Sequence, residues 1–234
     1  MCKSIFSYIQ SMQNLNLYNY FRSSTSYRAR IALELKELKY TYTPIHLVNN
    51  GGEQNSAEYR KLNAIGGLPT LVHGEHVLAQ SFAIIEYLDD VFPEPNAFFS
   101  KDKFLKAKIK QACEIINADI HPLQNLKVTN YLEKDLKISA EQKNVWLTKW
   151  ITDGLSAFEK TISLYAGDYC FGNNVSAADI FLIPQLFTAH RFNIEFSQFK
   201  TLSRINDNCM KLEAFKNSHP YRQPDTPKEL LINN

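Results

Sequence analysis

Four small hydroxyl residues, Ser23–Ser26, stand between a mostly apolar and aromatic stretch, Leu17–Phe21, and an apolar stripe that begins at Ile31. The first stretch predicts a buried strand, and the three- and four-residue spacing of the stripe predicts a helix. Hydroxyl oxygens at a helix start accept hydrogen bonds from backbone N–H groups that have no partner inside the helix. The same N–H groups and the positive end of the helix dipole favour an anion. The run therefore predicts either a capped helix alone or a site where a hydroxyl donates to a ligand thiolate.

Strand and helix signals alternate around this run over residues 17–92. The first strand and helix are followed by a β-prone stretch, a polar loop, a short helix, a hairpin and a helix that begins at Ser81. This order, β-α-β and then β-β-α, predicts an α/β domain. Pro69 enters the third strand, and residue types alone favour an ordinary trans bond there.

The second half of the chain carries helix signals and no convincing strand from residue 101 onward. Ser176 and Asp179 form a capping-box pattern ahead of a segment, 180–188, that is apolar on almost all sides and predicts a buried helix. The cap accounts for Asp179, which is predicted to be structural rather than catalytic. The sequence therefore divides into an N-terminal extension 1–16, an α/β domain 17–92, a linker 93–100 and an all-helical domain 101–234.

Composition limits the functional class. The 234 residues are 44% hydrophobic and 12% aromatic, which is typical of a globular chain, and a net charge of +2 argues against a dedicated nucleic-acid binder. No stretch approaches the ~20 apolar residues of a membrane span, and no signal-peptide core is evident. The four cysteines lie far apart without metal-ligand spacing, so we expect free thiols in a reducing compartment, and no metal site.

Several blocks of sequence together resemble one family. Residues 23–32, Ser-Ser-Thr-Ser-Tyr-Arg-Ala-Arg-Ile-Ala, are similar to the zeta-class glutathione transferase signature Ser-Ser-Cys-x-Trp-Arg-x-Arg-Ile-Ala. Further blocks that fit this class lie at residues 80–88, 120–126, 172–179, 212–215, 219–220 and 223–227. The resemblance covers residues 17–230, with two departures: Thr25 replaces the family's cysteine and Tyr27 its tryptophan.

This resemblance implies the cytosolic glutathione transferase fold, an N-terminal thioredoxin-like domain followed by a C-terminal helical-bundle domain. It also implies a cytoplasmic homodimer, with the apolar segment Ala97–Phe99 as one candidate for exposed interface surface. Glutathione is the implied cofactor. The implied activity is that of a maleylacetoacetate isomerase of tyrosine and phenylalanine catabolism, in which a thiolate adds reversibly to a conjugated double bond.

The resemblance also assigns site residues. Ser24 is expected to donate a hydrogen bond to the glutathione sulfur, with Ser23 and Thr25 as its catalytic neighbours, and the backbone at Leu68, before a presumed cis Pro69, to pair with the cysteinyl group. The other expected glutathione-binding residues are Ser26, Tyr27, Arg28, Gln54, Gln80, Ser81, His121, Asn125, Leu126 and Lys127.

The expected substrate is a small dicarboxylate, and Arg28 and Arg191 are the cations expected to face it. Three functions remain open: a maleylacetoacetate isomerase, a zeta-like transferase acting on α-haloacids or other electrophiles, and a non-catalytic glutathione-binding protein. The retained residues favour an enzyme over the third function; they are Ser23, Ser24, Gln80, Ser81 and Arg191.

Overall fold

The computed structural model describes residues 14–232. They form two compact units: one runs to Asn96 and includes the residues from Leu212 onward, and the other is Ala97–Lys211. The predicted extension, 1–16, lies mostly outside the described residues. The structure begins its first strand at Leu15, two residues before the predicted start.

A four-stranded sheet in the order β2-β1-β3-β4 is the frame of the first unit. Its strands are β1 Leu15–Asn19, β2 Thr41–Pro44, β3 Thr70–His73 and β4 His76–Ala79. Strand β1 pairs in parallel with β2 and antiparallel to β3, and β3 and β4 form an antiparallel hairpin. The helices of this part are α1 Ser24–Leu35, α2 Ala57–Leu62 and α3 Ser81–Val91. The predicted β-α-β and β-β-α order is confirmed.

The turn between β1 and α1 begins earlier than the sequence predicts. Tyr20 and Phe21, assigned to the strand by their aromatic character, follow its end and are almost completely buried. The Leu68–Pro69 peptide is cis, as the family resemblance implies, whereas residue types alone favoured trans.

Helices make up the second unit. They are α4 Lys103–Glu114, α5 His121–Gln124, α6 Leu126–Lys134, α7 Ala140–Ile162, α8 Ala177–Arg191 and α9 Lys200–Cys209, with a π-helical segment, Ile115–Ile120, between α4 and α5. Between Ala97 and Lys211 the described chain contains isolated β-bridges but no strand. Across residues 14–232, no helix combines the length and the apolar character needed to cross a membrane.

Helix α8 confirms the predicted capping box. The Ser176 N–H and the Asp179 carboxylate lie 2.8 Å apart, and the Ser176 hydroxyl lies 2.8 Å from the same carboxylate oxygen. The helix is buried along almost its whole length, as its apolar composition predicts. Asp179 therefore has the structural role that the sequence assigns to it.

The residues from Leu212 onward pack with the first unit, which differs from the predicted single domain 101–234. They contain α10 Glu213–Asn217 and two short 3-10 turns. The Tyr27 hydroxyl donates to the Phe215 carbonyl at 3.2 Å, and Arg30 Nε donates to the Ser218 carbonyl at 3.1 Å. These contacts from α1 hold the C-terminal segment against the sheet domain.

Candidate active site

The hydroxyl run forms the N-terminus of α1. Ser23 is the N-cap, with an extended backbone, and its Oγ accepts a hydrogen bond from the Ser26 N–H at 3.2 Å. Ser24 is the first residue of the helix and is 8% exposed. The Ser26 hydroxyl is buried and has no hydrogen-bond partner within residues 14–232. The predicted cap is confirmed, and it places the Ser24 hydroxyl at the positive end of the helix dipole.

A chain of two hydrogen bonds runs from Ser23 through Thr25 to the residue before the cis-proline. Thr25 Oγ1 lies 2.8 Å from the Leu68 carbonyl oxygen and 2.9 Å from Ser23 Oγ. A carbonyl oxygen accepts and cannot donate, so Thr25 gives its single proton to Leu68. Ser23 must then donate its own proton to Thr25. The proton of Ser23 is therefore directed at Thr25 and not at a ligand.

The loop before the cis-proline is held by buried polar side chains that the sequence did not single out. The Tyr59 hydroxyl donates to the Gly67 carbonyl at 2.7 Å and lies 2.8 Å from Thr70 Oγ1. Asn63 Nδ2 lies 2.9 Å from the same carbonyl. These contacts fix the Leu68 backbone, whose carbonyl keeps a second lone pair for the N–H of a bound peptide.

A second arrangement of groups that favour an anion lies at the start of α3. Ser81 Oγ accepts a hydrogen bond from Arg28 Nη1 at 3.2 Å, so its own proton is left for another acceptor. The helix N-terminus and the guanidinium charge both favour a carboxylate there. Gln80, the preceding residue, has a φ of 72°, a conformation that costs a non-glycine residue about 1–3 kcal/mol and is concentrated at functional sites.

Arg28 and Tyr27 are fully buried. Arg28 contacts Ser81, and the Tyr27 hydroxyl contacts the Phe215 carbonyl. Neither side chain presents surface to a ligand, so these positions give no support to the expected contact of Arg28 with a substrate carboxylate. The structure instead connects Arg28 to the predicted glutathione site through Ser81.

Gln54 lies between Glu53 and Asn55, which line an open cleft of about 500 Å³. Its Oε1 is buried and has no hydrogen-bond partner in the described part of the chain, while its Nε2 lies 3.4 Å from the Leu47 carbonyl. The cleft is lined by Ile45, Gly51, Gly52, Glu53, Asn55 and Ser56. It does not include the hydroxyl turn, so the predicted thiolate site and this cleft are separate features of the first unit.

The remaining predicted residues belong to the second unit. Asn125 caps α6 by accepting from the Lys127 N–H at 3.1 Å, and its Nδ2 lies 3.3 Å from His121 Nε2. Leu126 and Lys127 are exposed at the start of that helix. The structure therefore groups these four residues where α5 meets α6.

Arg191 is the last residue of α8, and its guanidinium lies 4.5 Å from the centre of the Phe192 ring. A cation is favoured at a helix C-terminus and over an aromatic face. No group of side chains suited to hold a metal ion is found in the described chain.

Comparison with known proteins gives consistent relatives. The glutathione S-transferase N-terminal domain family matches residues 13–90. The chain is 42% identical to maleylacetoacetate isomerase of Rattus norvegicus, over 92% of this chain and 96% of that protein. It is 43% identical to a zeta-class glutathione S-transferase of Euphorbia esula, over 91% of this chain and 92% of that protein.

Among solved structures, a maleylacetoacetate isomerase from Anaeromyxobacter dehalogenans is 33% identical with a TM-score of 0.81. The match covers 92% of this chain and 94% of that one. That protein was crystallised with dicarboxyethyl glutathione and citrate in its active site.

Proposed function

Because the chain belongs to the glutathione S-transferase family, in its zeta class of maleylacetoacetate isomerases, we propose that it isomerises maleylacetoacetate to fumarylacetoacetate with glutathione as cofactor. This is a step of tyrosine and phenylalanine catabolism. We place it in the cytoplasm, because Cys113, Cys170 and Cys209 are buried thiols outside any disulfide, which supports a reducing compartment. The observation that carries the proposal is the hydroxyl turn at the α1 N-terminus, tied by Thr25 to the Leu68 carbonyl.

The residues of the first unit fit glutathione. Ser81 and the N-terminus of α3 provide donors for a carboxylate, and the buried Arg28 adds positive charge behind them. The Leu68 backbone provides an extended edge for the cysteinyl group, and Gln54 contributes a buried amide oxygen that lacks a partner within residues 14–232. These contacts hold the tripeptide at three points.

Glutathione supplies, when bound, a thiolate that adds reversibly to the double bond and leaves a single bond free to rotate. A cysteine-like thiol has a reference pKa of about 8.5, so the site must lower it to populate the thiolate at neutral pH. Ser24 is the hydroxyl that we assign to this task, since Ser23 donates to Thr25. The α1 dipole acts in the same direction.

Arg191 is proposed to bind a carboxylate of the substrate. Arg28 does not contact the substrate in this proposal and acts on glutathione through Ser81. The dicarboxyethyl glutathione bound to the Anaeromyxobacter dehalogenans isomerase supports a site that accepts two further carboxylates. We expect Arg191→Met to raise KM for the dicarboxylate while the affinity for glutathione stays unchanged, because Arg191 would touch only the substrate.

The proposal is tested by following maleylacetoacetate in the presence and absence of glutathione. We expect isomerisation only when glutathione is present, with no loss of free thiol, because the cofactor is regenerated in each cycle. Consumption of glutathione with α-haloacids, without isomerisation, would favour the transferase alternative. Absence of both reactions in a folded protein would leave only a glutathione-binding role.

The replacement of cysteine by Thr25 gives a further prediction. Thr25→Cys should change isomerase turnover by no more than about threefold, because the addition–elimination route needs only the thiolate of glutathione. The change that remains would come from the weaker hydrogen bond that a thiol donates to the Leu68 carbonyl. The variant should become sensitive to iodoacetamide, whereas the described cysteines of the native chain are buried. Mass spectrometry would separate alkylation at position 25 from alkylation at Cys2.

If the native protein shows no isomerase activity and Thr25→Cys restores it, the cysteine is essential chemistry. The transferase alternative would then replace the isomerase proposal.

We also propose a homodimer, which family membership supports. The candidate interface segment, Ala97–Phe99, gives no support: Phe98 and Phe99 are buried within their own chain. Phe104, by contrast, is 68% exposed. We expect sedimentation equilibrium at micromolar concentration to give twice the chain mass of 27.0 kDa, and a species of 27.0 kDa would contradict the proposal.

A further inference from the structure

Both backbone groups of Phe21 are held by side chains distant in sequence. Its N–H donates to Asp225 Oδ2 at 2.9 Å, and its carbonyl accepts from Arg30 Nη2 at 2.9 Å. Phe21 lies in the turn between β1 and α1, two residues before the N-cap Ser23. The peptide groups at this point of the turn are therefore fixed from two sides.

Arg30 connects the turn to its surroundings. Its guanidinium is fully buried and donates to the Asn19 side-chain oxygen at 3.0 Å, to the Tyr20 carbonyl at 3.3 Å and to the Ser218 carbonyl at 3.1 Å. One side chain of α1 thus contacts the end of β1, the turn and the C-terminal segment.

Asp225 makes the corresponding connection from the C-terminal segment. Its Oδ1 accepts a hydrogen bond from the Tyr42 hydroxyl on β2, while its Oδ2 accepts from Phe21. The Tyr27 hydroxyl holds the same segment through the Phe215 carbonyl. The segment Leu212–Ile232 is therefore bonded to β2, to the turn and to α1, which together place the hydroxyl run.

We propose that Asp225 and Arg30 are positioning residues of the thiolate site, and that the C-terminal segment is part of this site through Phe21. The inference rests on the proposed function. Ser24 begins α1 directly after the held turn, and the strength of a hydrogen bond falls steeply with distance and angle. Loss of the Phe21 contacts moves Ser24 relative to the sulfur without removing a group that touches glutathione.

The experiment compares Asp225→Ala, Asp225→Asn and the control Glu229→Ala, an exposed carboxylate of the same segment. Ultraviolet titration of the thiolate in the glutathione complex is the main measurement. We expect Asp225→Ala to raise the pKa of the bound thiol by about one unit and to lower turnover about tenfold at pH values below the thiol pKa of both the native protein and the variant, with glutathione affinity nearly unchanged. Asp225→Asn should restore most of the loss, because its amide can accept from Phe21 and donate to the Tyr42 oxygen.

A folded Asp225→Ala variant with the native thiol pKa would overturn the inference. Should that variant fail to fold, Tyr42→Phe decides: it removes one of the two bonds to Asp225, and a raised thiol pKa supports the inference while an unchanged one overturns it. A native protein that shows no glutathione thiolate would overturn the proposed function together with the inference, and the titration reveals this before any variant is made.

Discussion

Ser24→Ala should raise the pKa of the bound glutathione thiol by about one to two units, because a hydrogen bond to a charged acceptor contributes about 1.5–3 kcal/mol. Ser24 is 8% exposed, and a hydrogen bond to a thiolate is stronger in such surroundings than in water. Turnover should fall about 10- to 100-fold at pH values below the thiol pKa of both the native protein and the variant. In that range, each unit by which the pKa rises removes nine-tenths of the thiolate.

The pH profile separates this effect from a general loss of function. Activity of Ser24→Ala should recover as the pH rises through the raised pKa, while glutathione affinity changes little because most contacts with the tripeptide lie elsewhere. Ser203→Ala is the matched control, since its hydroxyl is buried, has no partner within residues 14–232 and lies on α9, outside the predicted site. An unchanged thiol pKa in Ser24→Ala would assign the sulfur to the backbone N–H groups of α1, because Ser23 donates to Thr25.

Features that depend on neighbouring residues were predictable from the sequence. The Ser23 cap, the Ser176–Asp179 capping box and the order of strands and helices follow from residue types within a few positions of each other. The end of β1 did not follow. Tyr20 and Phe21 have strand-like side chains, but Asp225 holds the Phe21 backbone in a turn from 204 positions away.

The same limit applies to the candidate site. The sequence places Arg28 next to the hydroxyl run, but only the structure shows that its guanidinium turns to Ser81. Tyr59 and Asn63 carry no motif, and their role at the Gly67 carbonyl arises from packing between α2 and the loop before β3. A residue type defines what a side chain can donate or accept, and tertiary contacts decide which group receives it.

The packing of the chain after α9 is a further feature that the sequence does not predict. The sequence shows no convincing strand from residue 101 onward, so it assigns Leu212–Ile232 to the helical domain. In the structure this segment packs with the sheet domain. There the Phe215 carbonyl accepts a hydrogen bond from Tyr27, and the Ser218 carbonyl accepts one from Arg30. Those acceptors are backbone groups, which every residue has, and the sequence gives no sign of the pairing.

Asp179→Ala should cause a large loss of stability in the second unit. Asp179 is completely buried and accepts hydrogen bonds from the Cys170 N–H, the Ser176 N–H and the Ser176 hydroxyl, each at 2.8 Å. Burial raises the pKa of the carboxyl, and these donors oppose the shift. Alanine leaves all three donors without their acceptor, which costs about 1–3 kcal/mol each, so we expect a loss of at least about 3 kcal/mol in urea unfolding. Asp168→Ala, an exposed aspartate near Cys170 in sequence, is the control and should stay within about 0.5 kcal/mol of the native protein. An equal effect of the two changes would show that the cap does not support α8, and the stability of that helix would then rest on its buried apolar side chains alone.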